Sequence, residues 1–134
     1  MARLVFFLAL LLLVGCDSSD SKETPTMKLS LSTGAEFTNP SDDQIRDALG
    51  ALSVERDGEG FAILGPLESE MTYVQVSGDP TVGFDLEYQE GSVSEHYRAA
   101  RGDYSLDEIV AVLIAFRDGE VIWSEVGDFS KITW

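Results

Sequence analysis

The sequence predicts an α+β domain in which one antiparallel sheet of about 4–6 strands carries two helices packed on one face. Three observations support this. Residues 82–99 alternate with a period of two, capped helical stretches begin near Asn39 and at Ser105, and residues 27–134 are long enough for one core. The first candidate strand is Met27 to Leu31. Asn39-Pro40-Ser41-Asp42-Asp43 then opens a helix: Asn39 can cap it, Pro40 suits the first helical position, and the two acids complement the positive end of the dipole. Ile45, Ala48, Leu49 and Leu52 form its apolar stripe, which places the helix over residues 40–52, with Gly50 weakening its end. Asp57-Gly58-Glu59-Gly60 reads as the turn into the next strand. Its oxygens could hold Ca²⁺ loosely, but it lacks the spaced acids of an EF-hand loop.

Phe61 to Leu64 and Met71 to Val76 look like a strand pair. In the next strand Val82, Phe84, Leu86 and Tyr88 alternate with Gly83, Asp85, Glu87 and Gln89, giving one buried face and one wet acidic face. Glu90-Gly91 makes a tight turn into Val93, Glu95, Tyr97 and Ala99, which alternate with Ser94, His96 and Arg98. That parity points Glu95 inward. Ser105 and Glu108 have capping-box spacing, and Arg117 and Gly119 mark a helix end. The apolar run Ile109 to Phe116 between them also suits a buried strand, but the cap and the length favour a helix. Val121 to Trp123 or Ile132 to Trp134 are candidate edge strands.

Residues 1–15 are set apart from the fold. Arg3 precedes an unbroken apolar run from Leu4 to Val14, which has the form of a signal peptide. Those 11 residues span about 16 Å as a helix, roughly half a bilayer core, so a spanning anchor is the poorer reading. Leu13-Val14-Gly15-Cys16 resembles the lipobox of bacterial lipoproteins at every position. The resemblance implies cleavage before Cys16 and lipidation of its thiol, which would make membrane lipid a partner and hold the protein at the cell envelope, facing the periplasm. Asp17 resembles the signal that retains enteric lipoproteins at the inner membrane. Residues 16–26 carry the anchor and a Ser-, Thr- and Asp-rich stretch without large apolar residues, expected to act as a flexible tether.

Composition excludes several kinds of chemistry. The chain has 9 basic and 24 acidic residues, a net charge of −15, which argues against nucleic acid because phosphate backbones are met by clustered Lys and Arg. Loss of the leader removes Arg3, so the mature chain carries 8 basic and 24 acidic residues, a net of −16. One cysteine excludes an internal disulfide and a multi-Cys zinc site, and one histidine excludes any site needing two imidazoles. His96 is the natural first candidate for a catalytic base. Its strand position suits a half-exposed histidine paired with a neighbouring acid, and neither a nucleophile elbow nor a phosphate loop accompanies it. No enzyme, metal or cofactor is expected.

Asp85, Glu87 and Glu90 on one hairpin, with Tyr88, Tyr97 and Tyr104 nearby, form the remaining constellation. On an outward face free of helices they would make a negative patch able to steer in a basic protein partner; the alternative is a solvated face that only keeps the protein soluble. The stretches Asn39-Pro40-Ser41, Gly83-Phe84-Asp85-Leu86-Glu87-Tyr88-Gln89-Glu90-Gly91 and His96-Tyr97-Arg98-Ala99, followed by the Ser-capped helix, resemble small immunity-type proteins of bacterial toxin systems. That resemblance implies inhibition by binding on an α+β scaffold. The expected function is therefore a lipid-anchored, non-enzymatic envelope protein that binds and inhibits a basic partner. The alternative is a structural or accessory lipoprotein of an envelope assembly.

Overall fold

A computed structural model describes residues 24–134. The leader, Cys16, Asp17 and the tether as far as Glu23 lie outside the described residues. Along the chain the elements are β1 (Met27–Leu31), β2 (Glu36–Thr38), α1 (Asp42–Gly50), α2 (Val54–Asp57), β3 (Phe61–Pro66), β4 (Tyr73–Asp79), β5 (Gly83–Gln89), β6 (His96–Ala99), α3 (Leu106–Arg117), α4 (Trp123–Val126) and β7 (Phe129–Lys131). The α+β class is as predicted. The sheet is larger than expected, with seven antiparallel strands in the order β2-β1-β3-β4-β5-β6-β7, and α2 and α4 are single-turn helices beyond the two predicted.

Cross-strand partners share a face, so the register separates the sheet's two surfaces. One row runs Phe37, Leu29, Leu64, Val74, Tyr88, Tyr97 and Lys131 across all seven strands, with Leu31, Ala62, Val76 and Leu86 in parallel to it. This face lies under α3, which packs on β3, β4 and β5 and against α1. Leu29, Leu64, Val74, Phe84 and Leu86 are buried together with Ile45 and Leu49 of α1 and Ile109, Val110 and Leu113 of α3. Full burial of such a side chain is worth about 1.5–3 kcal/mol. The opposite row is Glu36, Ser30, Ile63, Gln75, Glu87, Arg98 and Ser130. Its central members Ser30, Ile63, Gln75 and Glu87 are only half-buried, and no helix among the described residues lies across this face, which is called the uncovered face below.

Several local expectations are corrected. Asn39 does not cap α1: it adopts a left-handed conformation (φ 47°) and bonds Met27 through both its backbone N–H and its side-chain oxygen. The cap is Ser41, in a capping box with Gln44, and the helix is shorter than residues 40–52. Ser105 and Glu108 form the capping box of α3 as predicted. Neither Val121 to Trp123 nor Ile132 to Trp134 is a strand; β2 and β7 are the edge strands, and Trp123 begins α4. Val82 falls in the β4–β5 turn instead of on the strand, and residues 93–95 form a 3-10 turn, so β6 starts only at His96.

Asp79 organises the β4–β5 turn. Its Oδ1 accepts the backbone N–H groups of Thr81 and Val82, both at 2.8 Å, and its Oδ2 accepts that of Val54 at 2.8 Å. The side chain is buried, and these backbone donors hold its carboxyl below the ordinary value of 3.8. A depressed folded-state pKa means the contribution is present above 3.8 and fades as pH falls through Asp79's own lower value. Asp79→Asn turns an amide donor toward one of these N–H groups. It should lower the melting temperature at neutral pH, and the gap from the natural chain should narrow as melts are repeated at increasingly acid pH.

Candidate functional site

The uncovered sheet face is the candidate site. Phe61 and Ile63 from β3, Tyr73, Gln75 and Ser77 from β4, Asp85 and Glu87 from β5 and Arg98 from β6 meet there through the register of their strands. Such a mixture of aromatic, aliphatic, amide and charged groups suits protein recognition. Arg98 stands opposite Glu87 and reaches both acids, with Nη2 3.6 Å from Asp85 Oδ2 and Nε 3.8 Å from Glu87 Oε1. Those distances give attraction without a hydrogen bond, and more than half of the Arg98 side chain is exposed.

His96 lies on the same face but is buried at 6% exposure, a correction to the half-exposed position expected for it. Its Nε2 lies 3.1 Å from Glu87 Oε2, and the edges of Tyr73 and Trp134 close around the ring with centroids 6.1 and 5.9 Å away. The hydroxyls of Ser92 and Ser94 bond each other at 2.9 Å. Glu87 thus serves two partners, orienting the imidazole and holding Arg98 near the centre of the face. Among the described residues no cluster of His, Cys, Asp and Glu is arranged to hold a metal ion.

Of the acids singled out from sequence, Asp85 and Glu87 share the uncovered face and Glu90 does not join them. Beyond the end of β5, Glu90 accepts the indole N–H of Trp123 at 3.2 Å, on the helix-bearing side. There Tyr88 is stacked between Trp123 (4.0 Å between centroids) and Tyr97 (5.0 Å), with Phe129 at its edge. Glu95 keeps the parity of Tyr97 but lies at the open rim, where it accepts the Tyr97 hydroxyl and pairs with Lys131 at 3.2 Å. Cys16 lies outside the described residues. Phe61, Ile63, Tyr73 and Gln75 were not singled out from sequence. The available signal was that Phe-Ala-Ile-Leu is apolar at both parities, although helices cover only one face.

The Tyr97–Glu95 hydrogen bond has a titratable consequence. It raises the Tyr97 phenol from 10.0 to about 12, burial adding to it, and lowers the Glu95 carboxyl. The folded state keeps this proton where the unfolded state loses it. The contribution is therefore complete below 10.0 and is lost as pH rises toward about 12. Tyr97→Phe should flatten the alkaline decline of the melting temperature and remove the last-titrating phenolate from the near-ultraviolet absorbance curve.

The charge balance is one-sided. Lys28, Arg46, Arg56, Arg98, Arg101, Arg117 and Lys131 all sit within salt-bridge distance of an acid, so among the described residues what remains unpaired on the surface is carboxylate. Glu59 and Glu70 add to it at the rims of two depressions on the uncovered face. The chain matches no family model, no curated protein and no solved structure.

Proposed function

We infer that this chain is a lipid-anchored, non-enzymatic envelope protein that binds a basic protein through its uncovered sheet face and inhibits it by occlusion. The observation that supports this reading best is that face itself. It is half-buried and no helix among the described residues lies across it, it presents Phe61, Ile63, Tyr73 and Gln75, and Asp85 and Glu87 stand on it amid an acidic surplus. Aromatic and amide groups supply contact area, and the surrounding negative field speeds encounter with a positively charged surface. The lipobox-like Leu13-Val14-Gly15-Cys16 supports the anchor, and the tether would give the domain reach from the membrane.

The test uses the full chain in mild detergent as bait against envelope extract and culture supernatant, eluted with a salt gradient and read by mass spectrometry. The reading predicts one basic protein retained near one-to-one, released by moderate salt, and losing its own activity when bound. Retention of a set of neutral or acidic membrane proteins that salt does not displace would overturn it.

A further inference from the structure

The larger of the two depressions on the uncovered face holds about 460 Å³, where β3, β4 and β5 meet Val54 at the start of α2 and the loops that follow α2 and β6. Both charged residues lining it, Glu59 and Asp85, are acids. Phe61 and Val82 supply apolar wall, and Gln75 and Ser77 supply polar groups. Gly78 and Gly83 keep part of its wall bare backbone. Gly78 has φ 124°, and a Cβ there would drive into the carbonyl oxygen of Gly83. A guanidinium already approaches Asp85 from this chain, that of Arg98. At 3.6 Å it is too distant to hydrogen-bond and is largely in water, so displacing it costs little.

We propose that this depression is the subsite for one arginine side chain of the basic partner, with the Asp85 carboxylate as its anchor and Arg98 as the intramolecular cation it displaces. The proposal rests on the inhibitor reading and deepens it. A guanidinium suits the slot better than an ammonium. It is flat and weakly hydrated, it can lie on the Phe61 ring while bonding Asp85 with two N–H groups, and its remaining donors meet the Ser77 hydroxyl and the Gln75 carbonyl. On displacement Arg98 keeps Glu87, so no carboxylate is left unpaired. A second copy of this chain is a poor occupant, because each copy carries a charge of −15 and every Lys and Arg among the described residues is already paired.

The experiment titrates the full chain in detergent with an acetylated, amidated arginine peptide and with the same peptide carrying citrulline. Backbone amide shifts and affinity are both read by NMR. The arginine peptide should shift the amides of Gly83, Asp85 and Gly102, citrulline should not, and Asp85→Asn should remove the effect. Arg98→Gln should tighten binding about three- to fivefold, near the most an exposed pair can withhold. Arg101→Gln makes the same change in net charge at a residue paired with Asp103 and Glu108, and should tighten it less than twofold. Equal gains from the two arginine variants, or equal binding of citrulline, would overturn the subsite. If a basic protein is still captured with full strength by Asp85→Asn, the subsite fails and the inhibitor reading stands. If none is captured by the natural chain, the inhibitor reading itself fails.

Discussion

Replacing Asp85 and Glu87 together with lysine is expected to weaken binding of the captured basic partner by about a hundredfold or more, since like charges brought together at an interface cost several kcal/mol. Both acids lie on the sheet face away from the apolar core, whose packing is kept; Glu87→Lys also removes the carboxylate that bonds the buried His96, so the melting temperature of the double variant is measured beside its binding. The change also strips Arg98 of its two acids, which turns the centre of the face from mixed to wholly positive. Association should slow, and the remaining affinity should depend less on salt, because the steering field has been removed at its focus. Glu90→Lys is the informative control. That carboxylate is engaged with Trp123 on the other side of the sheet, so its reversal should change affinity only through net charge, by a few-fold at most. Surface-binding kinetics at two salt concentrations measure all three quantities.

Phe84→Ala should cost about 3–5 kcal/mol of folding stability, a large part of the 5–15 kcal/mol typical of a domain. Phe84 is fully buried within the core shared by the sheet, α1 and α3. It also pairs with Tyr104 through both backbone hydrogen bonds, at 2.9 and 3.1 Å, which docks the segment leading into α3. Removing its ring leaves a cavity in close-packed surroundings, and the melting temperature should fall by roughly 10 °C or more. Val82→Ala, two residues earlier but 64% exposed in the turn, should stay within about 0.5 kcal/mol. Denaturant unfolding of the two variants side by side checks both numbers.

What could be read from sequence follows from where burial is one-sided. Phe84, Leu86 and Tyr88 against Asp85 and Glu87 alternate clearly because helices cover one face of β5 and, among the described residues, no helix lies over Asp85 and Glu87 on the other. The α3 cap was legible because Ser105 and Glu108 satisfy each other's backbone within four residues. Strands β2 and β7 were not legible as such, since three residues are too few to show a period and their pairing partners are supplied by the rest of the sheet. Asn39 and Ser41 both have the side chains of a helix cap, and only the Asn39–Met27 bonds decide between them. Glu90 was grouped with Asp85 and Glu87 by nearness along the chain, but β5 ends at Gln89 and its neighbour turns to Trp123. Phe61 and Ile63 were hidden for the opposite reason, because an apolar run reads as core whether or not a helix covers its second face.

The most direct test of the uncovered face as the binding surface is oxidative footprinting of the full chain, alone and with its captured basic partner. The account predicts that Phe61 and Tyr73 lose reactivity in the complex while Trp123 and Tyr97, on the helix-bearing side, react as before. Protection of Trp123 and Tyr97 with Phe61 and Tyr73 still reactive would contradict it and move the interface to the aromatic stack around Tyr88.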